Sequence, residues 1–529
     1  MAIAIARARF RIRRRGLLAL RLTAALVAAA VLLPPAYLVW RASGSDAAVE
    51  LLSDGHTLHA IARTVLLTAS VTSACVAVAV PLAWITGRTD LPGRRWWTVV
   101  LALPLAVPTF VGGFVMVSAL GPGGLAQDLL EPLGVERLPS IYGFWGAWFV
   151  ITIFSYPYVF IQVRASYRRL DPALEESSRG LGKGPWTTFW RVNVPQMRPA
   201  IATGSVLVAL YSVSEFGAVA MLRYDTLTPL VYLQYTTSFD RSSAAVLGLP
   251  LIALAALILA LEGSTRGRAR YYGGAQPRPP GTLRLGRWRW PALVLCGLVA
   301  LLGIGLPVGV VLYWLVRGLA AEGSAGLLVE GALNSARASG LAAVVAALAC
   351  LPIATLAVRR PSWLSSLFEQ ASYAGQALPA ITIGLALVFF ASNYLTPLYQ
   401  TIWVLVFAYA VRFLPEAMGA IRGSLLQVNP NTEAAARSLG AGPLRTFRRI
   451  TLPQMLPGVS AGMLLVFLVA MKELPITILL SPIGFDTLAT EIWNATSEGF
   501  FTRAALPSLA LIGISGAAVM LMLGRERIR

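Results

Sequence analysis

Long apolar runs dominate the sequence, and each is long enough to cross a membrane as a helix. A helix needs about 20 apolar residues to cross a hydrocarbon core roughly 30 Å thick. Only 13% of the 529 residues are charged, against about 25% in soluble domains. The sequence therefore predicts an all-α polytopic membrane protein with about twelve transmembrane helices. The predicted spans are 17–40, 61–86, 97–120, 141–163, 199–222, 243–262, 290–316, 333–357, 371–391, 399–416, 457–480 and 504–524.

The placement of arginines predicts which loops face the cytoplasm. Lysine and arginine are enriched in cytoplasmic loops, and an arginine-rich arm at 7–15 precedes the first span. An even number of spans returns the C-terminal arginines at 525–529 to the same side. We therefore expect a multi-pass protein of the cytoplasmic (inner) cell membrane with both termini in the cytoplasm. The arginines flank apolar runs, which favours the lipid bilayer as their partner and no nucleic acid.

Two segments of the chain are near copies of each other. The stretch RGLGKGPWTTFWRVNVPQMRP begins at Arg179, and RSLGAGPLRTFRRITLPQMLPG begins at Arg437, a spacing of 258. Earlier in each half, Pro108 and Pro379 recur at a spacing of 271. The change in spacing falls in a predicted outside loop, where insertions are tolerated. Because each copy has an even number of spans, we predict two parallel six-helix repeats.

The repeats set the predicted domain boundaries. The first transmembrane domain covers 1–262 and the second covers 290–529. Residues 263–289 are rich in Gly, Pro and Arg, which predicts a cytoplasmic linker between the domains. The copied segments form cytoplasmic loops at about 171–199 and 429–457.

Each copied loop carries the signals of a short helix–turn–helix. Asp171 or Asn429 can cap a helix whose first residue is proline. Gly182 and Gly440 then end that helix before a second one begins. A basic loop lying on anionic lipid is the simpler interpretation. Helix-breaking residues duplicated at a fixed spacing instead favour a docking platform for another protein.

This doubled pattern resembles the EAA loops of the permease subunits of binding-protein-dependent ABC importers. The second copy departs from the motif, since Ala434 stands where the motif has glutamate and Glu433 lies one place earlier. The resemblance implies that both loops couple to an ATPase. The residues that it assigns to coupling are Glu175, Glu176, Ser177, Ser178, Gly182, Pro195, Glu433, Ala434, Ala435, Ala436, Gly440 and Pro453.

The likeness covers nearly the whole chain and is greatest to the fused permeases for ferric iron (Fe³⁺), with the fused thiamine permeases as close relatives. The stretch MKELPITILLSPIGFDTLATEIWNATSEGFF at 471–501 is especially similar to the ferric iron type. The resemblance implies a cytoplasmic ABC ATPase homodimer docked on the loops. It also implies an extracytoplasmic solute-binding protein that delivers the cargo.

The sequence contains no phosphate-binding loop of the form G-x-x-x-x-G-K-[ST]. The stretch GLGKG around Lys183 lacks both the first glycine and the hydroxyl after the lysine. We therefore expect a transport subunit that is not an enzyme and binds no cofactor itself. ATP and Mg²⁺ would be bound by the partner ATPase.

Two glutamates inside predicted spans are candidates for the translocation path and for metal ligands. Glu215 and Glu473 recur at a spacing of 258, one in each repeat. An ionised side chain in hydrocarbon costs about 2.5 kcal/mol or more unless it faces a cavity or a partner. Iron(III) favours oxygen ligands, but either acid could instead cap a broken helix. Asp225 and Asp486 recur just beyond, as candidates for an outer mouth or as ordinary loop caps.

The sequence leaves other functions open. A permease for thiamine or another small solute would have the same architecture. An ion-coupled secondary carrier built from parallel halves belongs to a different class, and it would not need the doubled docking loops. A membrane enzyme would need a metal-ligand cluster or a nucleophile–base pair within the spans, and the sequence shows neither.

Overall fold

The computed structural model describes residues 2–46, 48–134, 138–167, 172–237, 241–265, 282–318 and 324–525. These residues form helices and connecting turns, and the β-bridge found among them pairs Thr89 with Leu283. The predicted all-α polytopic fold is confirmed. Asp171, most of the predicted linker and the last four residues lie outside the described residues.

The α-helices follow the two halves of the sequence. In the first half they are α1 (Ala2–Ser43), α2 (Ala48–Ser53), α3 (Gly55–Arg88), α4 (Arg94–Val100), α5 (Thr109–Leu120), α6 (Leu125–Leu130), α7 (Phe144–Tyr167), α8 (Pro172–Gly180), α9 (Pro185–Thr188), α10 (Val194–Ser214), α11 (Gly217–Met221), α12 (Leu227–Thr237) and α13 (Arg241–Thr265). In the second half they are α14 (Arg289–Ala300), α15 (Leu306–Gly318), α16 (Ser324–Arg359), α17 (Trp363–Ala377), α18 (Ala380–Tyr394), α19 (Ile402–Gln427), α20 (Pro430–Ser438), α21 (Pro443–Thr446), α22 (Leu452–Ala470), α23 (Pro475–Leu480), α24 (Leu488–Ser497) and α25 (Phe501–Arg525). Short 3₁₀ segments occupy Leu103–Ala106, Glu131–Leu133 and Gly286–Trp288, and π-helical turns occupy Phe189–Asn193, Leu301–Gly305 and Phe447–Thr451.

Ten helices in the described parts of the chain are long and apolar enough to cross a membrane, or eleven if one bent pair forms a single span. That pair is α17 and α18, which meet at 102° within the predicted ninth span. The predicted fifth span is not among the ten, because α10 ends at Ser214 and an interruption at Glu215 and Phe216 precedes α11. The observed helices therefore differ from the twelve predicted spans at the fifth span, 199–222, and the ninth span, 371–391, and each of these contains a helix break.

A proline explains the breaks within the predicted third and ninth spans, 97–120 and 371–391. The ring of a proline pushes the preceding residue into an extended conformation. Leu378 accordingly has ψ 129° before Pro379, and Pro379 is the N-cap of α18. The residue before Pro108 is extended in the same way, and Pro108 is the N-cap of α5. The helices of these two predicted spans are therefore interrupted just before Pro108 and Pro379.

Arg412 bonds to backbone carbonyls at the break between α17 and α18. The last carbonyls of a helix have no donor within that helix. Nη1 of Arg412, on α19, donates to the carbonyl oxygens of Gly375, at 3.3 Å, and Leu378. Arg412 on α19 is therefore a structural partner of the break between α17 and α18, and α19 continues past it without a break.

Each compact unit of the structure contains most of one repeat together with one or more helices of the other. The first-repeat unit comprises Val49–Asp240, Ala253–Leu328 and Glu491–Arg529. The second-repeat unit comprises Met1–Ala48, Arg241–Ile252 and Val329–Thr490. The exchanged helices are α1, which belongs to the second-repeat unit, and α14, α15 and α25, which belong to the first-repeat unit.

Aromatic side chains fix the exchanged helices in their units. Tyr37 on α1 packs edge-to-face on Phe390 of α18, with ring centroids 5.4 Å apart. Trp314 on α15 packs against Phe501 of α25, with ring centroids 5.3 Å apart. Such pairs contribute about 0.5–1.5 kcal/mol beyond the area that they bury.

The last residues of the predicted linker pair with the end of α3 and the residues after it. The Leu283 amide donates to the Arg88 carbonyl at 2.8 Å, and the Asp90 amide donates to the Leu283 carbonyl at 3.0 Å. The Asp90 carboxylate accepts a further bond from the Leu285 amide at 2.8 Å. This pairing holds the entrance to α14 beside the last residue of α3.

Candidate functional site

The copied loops form two short helices each, separated by a glycine turn. In the second copy, the Asn429 side chain accepts a bond from the Asn431 amide at 2.9 Å and caps α20, as predicted. Gly182 has φ +74° and Gly440 has φ +87°, a left-handed conformation that favours glycine. These glycines end α8 and α20 and let the chain turn into α9 and α21. Pro195 and Pro453 then lie in the first turns of α10 and α22.

The first acid of α8 points inward and is paired with a membrane helix. Glu175 is 6% exposed, and its carboxylate forms an ion pair with Arg88, the last residue of α3. Arg179, one turn further along α8, donates to the same carboxylate at 2.9 Å. Glu176, by contrast, is exposed.

The second copy has the same pair. The Glu433 carboxylate is 3.0 Å from Nη2 of Arg359, the last residue of α16, and it accepts a further bond from the Thr451 hydroxyl at 3.0 Å. Glu433 lies 258 residues after Glu175, and Arg359 lies 271 residues after Arg88. The structurally equivalent acids are therefore Glu175 and Glu433, one place before the motif glutamate.

This equivalence explains why the second copy can have alanine where the motif has glutamate. Glu176 and Ala434 occupy the same outward position, where neither side chain is needed to hold the loop in place. The arginines were missed by sequence reasoning. Their signal was the spacing of 271, because each is an arginine that ends the second span of its repeat.

The outward faces of the loops expose large apolar side chains at matching positions. Leu181 is 79% exposed and Leu439, its equivalent, is 89% exposed. Trp186 and its equivalent Leu444 are both 68% exposed. Exposed apolar side chains that are grouped together mark interaction surfaces. Ser177, Ala434 and Ala435 on the same helices are small and exposed, while Ser178 is half-buried and Ala436 is buried.

Glu215 lies at the break between α10 and α11, where its carboxylate is buried and hydrogen-bonded. It is 6% exposed and accepts bonds from the Thr109 hydroxyl at 2.9 and 3.0 Å and from the Ala218 amide at 3.0 Å. The Tyr211 hydroxyl lies 2.9 Å from that of Thr109. The bond from the Ala218 amide caps α11. These contacts agree with the alternative interpretation, in which Glu215 caps a broken helix.

Glu473 lies at the equivalent break, between α22 and α23, in a different environment. It is half-buried, and its carboxylate is 3.4 Å from the Ile476 amide. The positions equivalent to Thr109 and Tyr211 are Ala380 and Val469, which have no hydroxyl. Glu473 therefore does not have the hydroxyl partners that hold Glu215.

The segments beyond the two breaks are held by a duplicated contact. The Thr64 hydroxyl accepts a bond from the Leu227 amide at 3.0 Å, and the Ser335 hydroxyl accepts one from the Leu488 amide at 2.8 Å. Thr64 and Ser335 lie 271 residues apart, on α3 and α16. The internal repeat is thus visible as a repeated hydrogen bond.

The two aspartates predicted at an outer mouth differ in their partners. Asp225 is exposed and forms an ion pair with Arg63 at 3.0 Å. The Asp486 carbonyl accepts a bond from the Asn334 side chain at 3.1 Å, and its carboxylate lies 3.5 Å from the Thr490 hydroxyl. Asn334 is the equivalent of Arg63, so the second repeat replaces an ion pair with an amide contact.

A cavity of about 710 Å³ lies next to Asp225 in the first-repeat unit. Phe216, the neighbour of Glu215, is one of its walls, and it packs on Tyr232 and Trp493 with ring centroids 5.1 and 5.2 Å away. The cavity therefore extends from an exposed aspartate to the residue beside the buried glutamate. Among the residues that the structure describes, no group of three or more His, Cys, Asp or Glu side chains could hold a metal ion.

Comparison with known proteins identifies the class. The chain matches the family model of the binding-protein-dependent transport system inner membrane component over residues 79–270 and 339–525, one match in each repeat. The chain therefore belongs to this family of ABC importer permeases. Such a permease is a membrane-embedded transport subunit that works with an ATPase and a substrate-binding protein.

Three individual relatives show which kinds of permease the chain is similar to. The Fe(3+)-transport system permease protein FbpB 2 of Haemophilus influenzae is 35% identical over 505 residues, covering 94% of this chain and 96% of its own. The ferric transport system permease protein FbpB of Actinobacillus pleuropneumoniae is 24% identical over 499 residues, covering 89% of this chain and 72% of its own. The molybdenum transport system permease protein ModB of Azotobacter vinelandii is 33% identical over 167 residues, covering 32% of this chain and 73% of its own. The first two relatives share the fused two-half form.

Proposed function

We propose that this chain is the permease of an ATP-driven importer that moves ferric iron from an external binding protein into the cytoplasm. The observation that carries the proposal is the 35% identity to an Fe(3+)-transport permease over nearly the full length of both chains. Both termini and both copied loops lie in the cytoplasm under this proposal, because arginines flank them.

The partner ATPase docks on α8 and α20 and their following turns. Two equivalent faces, each with an exposed leucine at Leu181 or Leu439, suit a homodimer with one subunit on each face. ATP and Mg²⁺ are bound and ATP is hydrolysed by that partner, because this sequence has no phosphate-binding loop.

Within the path, Glu473 is the carboxylate that contacts the cargo, while Glu215 shapes the break in its helix. Support comes from their surroundings. Glu215 is 6% exposed and caps α11, whereas Glu473 is half-buried, so Glu473 is the more exposed of the two. A hard trivalent cation is best received by an oxygen ligand that its surroundings leave room to approach.

The test is uptake of radiolabelled ferric iron by iron-starved cells that lack the gene. Cells are supplied with the wild-type chain, Glu473→Gln or Glu215→Gln, and the amount of inserted protein is measured for each. We expect wild type to restore uptake and Glu473→Gln to abolish it at a normal protein level. Glu215→Gln should retain uptake in proportion to the protein that folds, because the amide keeps the shape of the cap.

The possible outcomes test the identity of the cargo and the role of Glu473 separately. If wild type restores no iron uptake although the protein and its ATPase are present, the iron proposal is wrong and thiamine uptake is the next assay. If wild type and Glu473→Gln restore uptake equally, iron remains the cargo and the role of Glu473 is refuted.

A further inference from the structure

Each repeat contains an arginine–glutamate pair, buried in the first repeat and part-buried in the second, that joins its cytoplasmic helix to the end of a long membrane helix. Arg88 on α3 is 4% exposed and its partner Glu175 on α8 is 6% exposed. Arg359 on α16 pairs with Glu433 on α20, which is 9% exposed. Neither pair belongs to the exposed docking face or to the broken helices that carry the path glutamates.

We propose that these two pairs are the links through which the docking helices move the membrane helices α3 and α16. In this inference the exposed face of α8 or α20 receives the ATPase, and the buried acid on the same helix passes the displacement on. The inference rests on the proposed docking of an ATPase on α8 and α20.

The far ends of the linked helices hold the predicted outer segments. Besides Arg88, α3 carries Thr64, which binds the Leu227 amide at the start of α12. Besides Arg359, α16 carries Ser335, which binds the Leu488 amide at the start of α24. One helix in each repeat therefore contacts the docking loop near one end and the outer segment near the other.

The length of α3 makes it suitable for transmission across the membrane. It has 34 residues, and at 1.5 Å per residue it is about 51 Å long. Arg63, next to Thr64, holds Asp225 at the cavity that reaches Phe216. A displacement of Arg88 would therefore move α3 and, with it, the Arg63–Asp225 pair at the cavity near the other end of this helix.

Both pairs are costly to separate, the first because it is buried and the second because it is part-buried and held by further bonds. If a buried ion pair separates, two charges are left without compensation in a medium of low dielectric constant. The second-repeat pair is also braced, because Arg359 donates to the Val428 carbonyl at 2.9 Å and Glu433 accepts from Thr451. Val428 precedes α20 and Thr451 precedes α22, so the link includes the helix that leads to Glu473.

The decisive variants remove the charges of a pair and keep its bulk. Arg88→Met/Glu175→Met and Arg359→Met/Glu433→Met leave no uncompensated charge, and exchanges of this kind are often tolerated by the fold. If the pairs only stabilise the fold, both double variants transport normally. Arg88→Lys is the conservative variant that retains the ion pair, and Glu176→Gln is the matched control on the exposed side of α8.

The experiment measures three quantities for the tagged chain from its native cells. They are the amount of ATPase that co-purifies, ATP hydrolysis by the purified assembly, and ⁵⁵Fe(III) uptake by the cells. We expect both double variants to retain the ATPase and its hydrolysis while uptake falls by about tenfold or more, the size of a typical coupling free energy. Arg88→Lys should retain most uptake, and Glu176→Gln should lower uptake only as far as it lowers the bound ATPase.

Two results would overturn the inference, and they differ from a failure of the docking proposal. Double variants with normal protein levels and wild-type iron uptake would show that the pairs transmit nothing. Double variants that lose the ATPase altogether would show that the pairs serve docking. A wild-type chain that brings down no ATPase would instead refute the docking on which the links depend.

Discussion

At the scale of single residues, the structure separates two glutamates that the sequence treats alike. Glu215 accepts bonds from a threonine hydroxyl and a backbone amide, and the Thr109 hydroxyl contacts both of its carboxylate oxygens. A buried carboxylate is costly unless such donors surround it. Thr109 is thus part of what allows an acid at this helix break.

Thr109→Val tests that role, because valine has the same shape and no hydroxyl. Loss of the donor should destabilise the protein by roughly 1–3 kcal/mol, the penalty for an unsatisfied buried polar group. A lower midpoint of thermal unfolding of the purified protein would show it. Thr203→Val is the control, since the Thr203 hydroxyl donates to the Pro199 carbonyl of its own helix. Equal midpoints for the two variants would contradict the role given to Thr109.

Arg223 has a left-handed backbone conformation, and the matching position of the second repeat is a glycine. Arg223 has φ +52°, and the matching residue of the second repeat is Gly484, with φ +76°. The left-handed region costs about 1 kcal/mol or more for a residue with a side chain. The Arg223 guanidinium lies 4.9 Å from the centre of the Tyr142 ring, a cation–π contact that offsets part of this cost.

At the scale of helices, the packing of α17 on α19 depends on a glycine. A Cβ atom at Gly375 would collide with the Val411 carbonyl oxygen. That carbonyl is main chain and belongs to the middle of α19, so it cannot move away by a change of rotamer. The close approach also brings Arg412 within reach of the carbonyls at the helix break.

Gly375→Ala should therefore lower the midpoint of thermal unfolding and the monodisperse fraction in size-exclusion chromatography. Overpacking of this kind costs about 1–3 kcal/mol. Gly419→Ala, on α19, is the matched control, because a Cβ there meets nothing within 4 Å. Alanine favours a helix over glycine by about 1 kcal/mol, so that variant should be unchanged or slightly more stable. A harmless Gly375→Ala would contradict the tight packing.

Much of the helical architecture follows from apolar runs and repeated spacings, and the exceptions have identifiable causes. Hydropathy averages over a window, so it could not detect that Pro379 breaks a span or that Glu215 ends α10. The helix–turn–helix form of the copied loops could be predicted because their glycines and prolines act locally. The inward direction of the Glu175 side chain could not be predicted, because its partner Arg88 lies in a different part of the sequence.

At the scale of the whole molecule, each compact unit needs a helix from the other half of the chain. α1 belongs to the second-repeat unit, and α14 and α15 belong to the first-repeat unit. The predicted domains 1–262 and 290–529 describe the sequence repeats, whereas the compact units exchange their first helices. Covalent fusion of the halves keeps each exchanged helix at a high effective concentration.

A chain cut between residues 270 and 271 tests this exchange. Expressed alone, either piece lacks a helix of its unit and should be degraded or aggregate. Co-expressed pieces should assemble, because the exchanged helices hold them together without a peptide link. Affinity purification of one tagged piece, followed by detection of the other, measures assembly. Separate pieces that each purify as folded, monodisperse protein would contradict the interdependence of the halves.

The exchange of α1 has a consequence for how the protein is made. α1 is synthesised before the other helices of its unit, since Phe389 and Phe390, which Arg41 and Tyr37 contact, are made only after the whole first repeat. During that interval, lipid or an insertion chaperone must cover the face of α1 that later meets α18. Completion of the second-repeat unit is therefore a late, post-insertion event, and α1 packs only when the later helices of its unit are present.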